Sequence, residues 1–146
     1  MNVPSLAPRP AEVIDPRLPV PEPVLSTTPN AAVVEQTRAL IAQVEAGDEQ
    51  FQPAADAAQR AVAAAGPAQS ETWIAAQQAV SAAIAARAPV TRAAADMDAL
   101  GAQRIQKLGG IAAADLKAID SASARVRAID DREAATIKSL QDRLGR

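Results

Sequence analysis

The sequence predicts an all-α fold, either an antiparallel three-helix bundle or a long helical hairpin, with an extended proline-rich arm at its N-terminus. Alanine, the strongest helix former, occupies 38 of the 146 positions. Eight of the 11 prolines fall within the first 29 residues. The remainder carries apolar residues at helical spacing, which is typical of amphipathic helices. A length near 150 residues fits one helical domain, residues 29–146, preceded by the arm.

Residues 1–28 form the predicted arm. Each proline fixes φ, removes a backbone donor and disfavours helix at the preceding residue, so this segment cannot be helical. Closely spaced prolines favour polyproline II, a semi-rigid spacer with a reach of at most about 80 Å here. The alternative is a disordered tail without a partner. Within the arm, residues 18–25 (LPVPEPVL) are a candidate for docking on an aromatic groove or on the protein's own helices.

The first predicted helix covers residues 29–65. Thr28 is expected to cap it with Pro29 at the first helical position, where a missing N–H costs nothing. Gly66 is expected to end it. Because the apolar face stays in phase past Pro53, we predict one helix that can bend there and not two helices. The residues on that face are Val33, Thr37, Leu40, Ile41, Val44, Phe51, Ala55, Ala58, Val62 and Ala65.

The second predicted helix covers residues 70–108, with Ser70 as its N-cap. Its first apolar face consists of Trp73, Ala76, Gln77, Val80 and Ile84. Pro89 disfavours helix at the residue before it, yet no turn-forming residue stands nearby. The pattern therefore favours a kinked continuous helix at Pro89 over a reversal of the chain.

The third predicted helix covers residues 111–144 and follows Gly109 and Gly110. Gly109 is expected to be a left-handed helix cap, which gives three helices of similar length, as an antiparallel bundle needs. The alternative is one helix over residues 70–144, which would have to dimerise to cover its apolar stripe. That stripe consists of Leu108, Ile111, Leu116, Ile119, Ala122, Val126, Ile129, Ile137, Leu140 and Leu144. Asp115 and Glu133 interrupt the stripe, so each either faces a gap or pairs with Arg or Lys of another helix.

No catalytic, cofactor-binding or metal site is predicted, and we expect no enzymatic activity. The chain has no Cys and no His, which removes the usual ligands of zinc and haem and the usual general base. Residues 96–101 begin like a calcium loop, but Lys107 stands where a bidentate carboxylate is required. Asp130, Asp131 and Glu133 point in different directions from one helix, so we expect surface ion pairs. The expected partners are Arg127, Arg132 and Lys138.

The charge pattern argues against nucleic acids as partners, and the lack of a long apolar run argues against a transmembrane segment. The net charge is -2 and the pI is about 5.1, whereas a nucleic-acid binder needs a basic stripe. Residues 103–146 carry a small basic excess, but their acidic residues are interleaved with the basic ones. No run of about 20 apolar residues is present, so no transmembrane segment is predicted.

A protein partner or self-association is therefore the expected mode of action. The candidate interface residues are Trp73, Ile111, Ile119, Val126, Ile129, Ile137 and Leu140. Trp73 is the single tryptophan and a possible anchor, although its helical phase with Val80 favours core packing.

Three segments carry a resemblance to known proteins: PSLAPRPAE, SETWIAAQQAV with ARAPVTRA, and AIDDREAATIKSLQDRLGR. They resemble small Ala-rich helical bacterial envelope proteins, in which a similar Pro-rich stretch follows a lipoprotein-type leader and for which no activity is known. The resemblance implies a periplasmic or membrane-anchored location, with a lipid anchor upstream of the given sequence. The sequence departs from that pattern because it has no Cys and its first ten residues lack the regions of a signal peptide. If residue 1 is the true start, the expected location is cytoplasmic.

The leading hypothesis is a non-enzymatic helical interaction or scaffold module of the cell envelope, tethered by the proline-rich spacer. The alternative is a structural assembly subunit, such as a virion or filament component, whose core is completed between copies.

Overall fold

The computed structural model describes residues 27–145. Every regular element in that range is an α-helix, so the predicted all-α class is confirmed. The helices are α1 (Ala31–Ala63), α2 (Glu71–Ala86), α3 (Ala88–Leu108) and α4 (Ala113–Leu144). Residues 1–26 of the predicted arm, including the segment 18–25, lie outside the described residues.

Helix α1 begins two residues later than predicted, and Asn30, not Thr28, is its N-cap. The Asn30 side chain accepts a hydrogen bond from the backbone N of Ala32 at 2.8 Å. The backbone N of Asn30 donates to Oδ1 of Asp115 on α4 at 2.6 Å. Asn caps at least as well as Thr, and this contact between distant parts of the chain accompanies the choice of Asn30. The helix then continues through Pro53 to Ala63.

Helices α2 and α3 occupy the range predicted for one kinked helix. Ser70 caps α2 as predicted, because its Oγ accepts from the backbone N of Trp73 at 3.2 Å. Arg87 alone separates the two helices, and Pro89 lies in the first turn of α3. At that position proline is tolerated because the first turn of a helix leaves its N–H groups without helical partners.

The chain turns between α3 and α4, so the alternative of one helix over residues 70–144 is wrong. Gly109 has φ 72°, and its N donates to the carbonyl of Ile105 at 2.9 Å. This is the left-handed cap that the sequence predicts, in a conformation that glycine adopts without a Cβ penalty.

Two apolar clusters fill the interior. The first, which we call the Phe51 cluster, consists of buried Phe51, Ala55, Ala58, Val62, Ala76, Val80, Ala83, Ile137, Leu140 and Leu144. The second, which we call the Met97 cluster, consists of buried Val33, Val44, Val90, Ala93, Met97, Leu100, Ile119, Ala122 and Val126. Helices α1 and α4 pass the Met97 cluster first and the Phe51 cluster second. The α2–α3 segment passes them in the opposite order.

Three large apolar residues predicted on apolar faces are exposed instead. Ile84 is 42% exposed because α2 packs on α1 through small residues such as Ala76 and Ala83. Leu108 and Leu116 are 67% and 44% exposed. They flank the α3–α4 turn, at the end of the molecule beyond the last buried layer. Apolar residues at helical spacing extend beyond the positions where a neighbouring helix packs against them.

Candidate interaction surface

The outward face of α2 is uncharged beyond the first residue of the helix. Glu71 is the only charged residue among its 16 positions, and these span about 24 Å. The inward side chains are Ala76, Val80 and Ala83. The exposed side chains elsewhere on the helix include Ile74, Gln77, Gln78, Ser81, Ile84 and Ala85. We call these six residues the α2 outer face.

Helix α4, by comparison, carries many exposed charged residues. Exposed charged residues on α4 are Lys117, Asp120, Arg125, Arg127, Asp131, Arg132, Lys138, Asp142 and Arg143. By contrast, Ile74 and Ile84 of the α2 outer face are 46% and 42% exposed. A surface rich in apolar and uncharged side chains loses less solvation free energy on docking than a charged one. The α2 outer face is therefore the surface best suited to contact another protein.

Trp73 lies at the N-terminal edge of this face and is half-buried. Its Nε1 donates to the backbone carbonyl of Leu144 on α4 at 3.3 Å, while its ring packs against the Phe51 cluster. A cleft of about 360 Å³ beside it is lined in part by Pro67 and Arg143. The indole thus joins α2 to the end of α4 and leaves part of its surface at the edge of the α2 outer face.

The other predicted interface residues lie mostly inside the chain's own core. Ile119, Val126, Ile137 and Leu140 are buried against neighbouring helices. Ile111 and Ile129 are half-buried. Their apolar surface is largely used within one chain, so a contact with another molecule through them stays a prediction.

The α2 outer face was not among the sequence-based candidates, although a signal for it exists. Residues 72–86 form the longest uncharged run in the chain. Periodicity analysis selects the regularly spaced large apolar residues and therefore the core. A search for helical faces without charge would have identified Ile74 and Ile84.

The two carboxylates that interrupt the α4 stripe both pair with arginines from the α2–α3 segment, which confirms one of the two predicted alternatives. Oδ2 of Asp115 accepts from Nη2 of Arg104 at 2.6 Å. Glu133 has no exposed surface, and its Oε2 lies 3.6 Å from Nε of Arg87. Each pair holds α4 against a different part of the α2–α3 segment.

The expectation of surface ion pairs around residues 130–133 is wrong, because these residues reach other helices. Arg87 Nη2 donates to Oδ1 of Asp130 at 2.7 Å. Arg132 Nη2 donates to Oδ2 of Asp48 on α1 at 2.6 Å. The inward position of Glu133 on α4 brings these groups together between helices. We call Asp48, Arg87, Asp130, Arg132 and Glu133 the central polar layer.

Burial and charge act in opposite directions on Asp48. Burial favours the protonated form, but hydrogen bonds from Arg132 and Gln52 outweigh it and hold the pKa of Asp48 below its usual value. Asp48 is therefore a carboxylate at neutral pH. The groove of about 400 Å³ beside it is lined by polar residues of α1 and α4, including Gln52 and Thr136.

Among residues 27–145, no group of three or more acidic side chains is placed to hold a metal ion. Within the same range, no helix is both long enough and apolar enough to cross a bilayer.

No protein-family model matches this chain, and neither a curated protein nor a solved structure matches it.

Proposed function

We propose that the chain is a non-enzymatic helical interaction or scaffold module, an antiparallel three-helix bundle carried on a proline-rich spacer. The observation that carries the proposal is the α2 outer face, an exposed and uncharged helix surface. The absence of His and Cys from the sequence supports a role without catalysis.

The preferred partner is a protein that presents a helix face of apolar and uncharged residues. Such a face would bury Ile74 and Ile84 and leave no unpaired charge in the interface. Gln77 and Gln78 would supply polar contacts to either side. Burial of two isoleucine side chains would contribute roughly 3 kcal/mol, which suits a reversible contact.

The proposed location is the bacterial envelope, periplasmic or anchored through a lipid upstream of the given sequence. It rests on the resemblance of the proline-rich stretch to those of lipoprotein-like envelope proteins. A spacer of that kind would allow the helical body to search for a partner away from the membrane.

A structural assembly subunit is the second candidate, and a second apolar area favours it. Ile105, Leu108 and Leu116 are 55%, 67% and 44% exposed near the α3–α4 turn. The α2 outer face lies on the other half of the molecule, beside the Phe51 cluster. Two different apolar surfaces on one chain are what a head-to-tail assembly needs.

Site-specific photo-crosslinking in envelope fractions tests the interaction module. The cross-linker is placed at Gln78, at the centre of the α2 outer face, with Ser121 on the exposed side of α4 as the control position. We expect a discrete adduct from Gln78 only, and its loss in the variant Ile74→Gln/Ile84→Gln. Equal adducts from both positions, or none from Gln78, would contradict the proposed surface.

Light scattering at micromolar concentration separates the two candidates. The module should be monomeric in isolation, whereas an assembly subunit should grow in mass with concentration. If the chain is an assembly subunit, either of two double substitutions should abolish the increase of mass with concentration. These are Ile74→Gln/Ile84→Gln and the matched pair Ile105→Gln/Leu116→Gln. Deletion of residues 1–26 should leave the melting temperature nearly unchanged if the arm is a spacer, and a large drop would mean that it packs on the helices.

A further inference from the structure

The central polar layer lies between the two apolar clusters on each of the three packed segments. On α1, Asp48 stands between Val44 of the Met97 cluster and Phe51 of the other cluster. On α4, residues 130–133 stand between Val126 and Ile137. In the α2–α3 segment, Arg87 stands between Ala83 and Val90 in the same way. The layer therefore crosses the molecule at the level where α2 ends and α3 begins.

The layer contains one more acid than it has arginines. Its three carboxyl groups and two guanidinium groups carry a net charge of -1 when all are ionised. Asp48 and Asp130 each accept a short hydrogen bond from an arginine, at 2.6 and 2.7 Å. Glu133 is the third acid, with no exposed surface and with no donor hydrogen-bonded to either of its oxygens. One proton on Glu133 would make the layer neutral.

The groups around Glu133 favour that proton. Burial, together with the negative charges of Asp48 and Asp130, raises the pKa of Glu133 to about 7, although Arg87 and Arg132 act against them. These groups reach Glu133 from α1, from the α2–α3 junction and from α4. Helix α2 itself adds only Glu71, at its opposite end. Glu133 shares Arg87 with Asp130, which accepts from Nη2 of Arg87 at 2.7 Å through its side chain and at 3.1 Å through its carbonyl. The Nε of Arg87 lies 3.6 Å from Oε2 of Glu133, which is longer than a hydrogen bond.

The same level is where the chain is best able to bend. Arg87 lies between two helices, and Pro89 has no N–H to continue the hydrogen bonds of α2 into α3. Helix α2 is held mainly by small side chains, since its buried residues are Ala76, Val80 and Ala83 and its one large contact is the half-buried Trp73. Small side chains bury little apolar surface each, so α2 is the helix that opens at the lower free-energy cost about the break at Arg87.

We propose that the central polar layer is a proton-linked hinge: the packed molecule holds one proton on Glu133, and loss of that proton lets α2 swing away about Arg87. An ionised Glu133 would be a buried charge without a hydrogen-bonding partner, which is costly. Opening at Arg87 admits water to the layer and relieves that cost. The α2 outer face would then change its position relative to α4 as the pH rises through 7.

The stability of the protein would carry a defined pH dependence. Because the pKa of Glu133 is raised from 4.5 to about 7 in the folded state, its contribution is complete below pH 4.5 and is lost as pH rises through 7. The unfolding equilibrium constant of the native chain, divided by that of the Glu133→Gln variant, should rise on the order of 100-fold between pH 4.5 and pH 8. The control variant Asp131→Asn, in which an exposed neighbour loses its charge, should retain the native dependence.

Three measurements on the full chain test the hinge. The ¹³C shift of the Glu133 carboxyl group should titrate near pH 7, and a midpoint below 5 would overturn the proposal whether or not Glu133→Gln folds. Fluorescence of Trp73, the single tryptophan, should shift to the red above pH 7 as its contact with Leu144 opens. Amide exchange, corrected for intrinsic rates, should accelerate in α2 alone and not in Glu133→Gln. Equal acceleration in all helices, or none in α2, would refute the hinge.

Discussion

Gly47 lies where α1 packs closely on the start of α3. Its replacement by alanine should separate the energetic cost of tight packing from the gain in helix propensity. A Cβ built at Gly47 would lie 2.8 Å from Cγ2 of Val90, 3.2 Å from Cβ of Pro89 and 3.3 Å from the backbone N of Val90. Val90 is fully buried and β-branched, so it has no free rotamer into which it can move. Alanine at residue 47 must therefore push the start of α3 away from α1.

The expected size of the effect follows from two opposing contributions. Gly→Ala within a helix stabilises by about 1 kcal/mol, whereas overpacking a buried contact costs about 1 to 3 kcal/mol. With backbone and side-chain atoms both too close, we place the cost at the upper end and expect Gly47→Ala to destabilise by about 1 to 2 kcal/mol. Gly101 on α3 is the matched control, because a Cβ there meets nothing within 4 Å. Gly101→Ala should stabilise by about 1 kcal/mol.

Urea unfolding followed by circular dichroism measures both variants against the native chain. The two substitutions should differ by at least about 2 kcal/mol and have opposite signs. In a Val90→Ala background, Gly47→Ala should cost less, since the nearest atom has been removed. If Gly47→Ala stabilised the protein as much as Gly101→Ala, the close packing of α1 on the start of α3 would be refuted.

Two further predictions concern the end of the molecule near the α3–α4 turn. Asn30→Ala should destabilise the protein by about 1 kcal/mol because it removes the cap of α1, whereas Asn30→Ser should change the stability by only about a few tenths of a kcal/mol. Thermal unfolding of both variants measures the difference. Asp115→Ala should destabilise by about 3 kcal/mol, because Arg104 and the backbone N of Asn30 lose their buried acceptor. The exposed Asp120→Ala is its control and should change stability by less than about 0.5 kcal/mol; equal effects of the two would show that the Arg104 pair contributes nothing.

Sequence signals predicted the ends of helices correctly where the interactions that fix a helix end lie within a few residues of it. The cap at Ser70 and the left-handed turn at Gly109 depend on the chemistry of one residue and its near neighbours. The cap of α1 did not follow from such signals. Thr28 and Asn30 are both good caps, and a hydrogen bond to Asp115, 85 residues away, accompanies the choice of Asn30.

The candidate surface followed from the sequence only in part. The uncharged run over residues 72–86 is visible without a structure, but its meaning depends on which half of the helix faces inward. Alanines 76 and 83 face α1 and leave Ile84 outside. A rule that places the larger side chain in the core assigns Ile84 wrongly, because helices that meet through alanines take the small residues as their contact.

The sequence by itself determined the class of fold, the helical segments and the two carboxyl groups that interrupt the α4 stripe. These features depend only on composition and on spacing along one helix. Only the tertiary structure decided the partners of those carboxyl groups. Asp115 pairs with Arg104, and Glu133 lies buried beside Arg87 and Asp48 at the level of the helix break. Spacing along a helix determines which residues lie on the same face of that helix. The residues they contact on another helix depend on how far the two helices are shifted along each other.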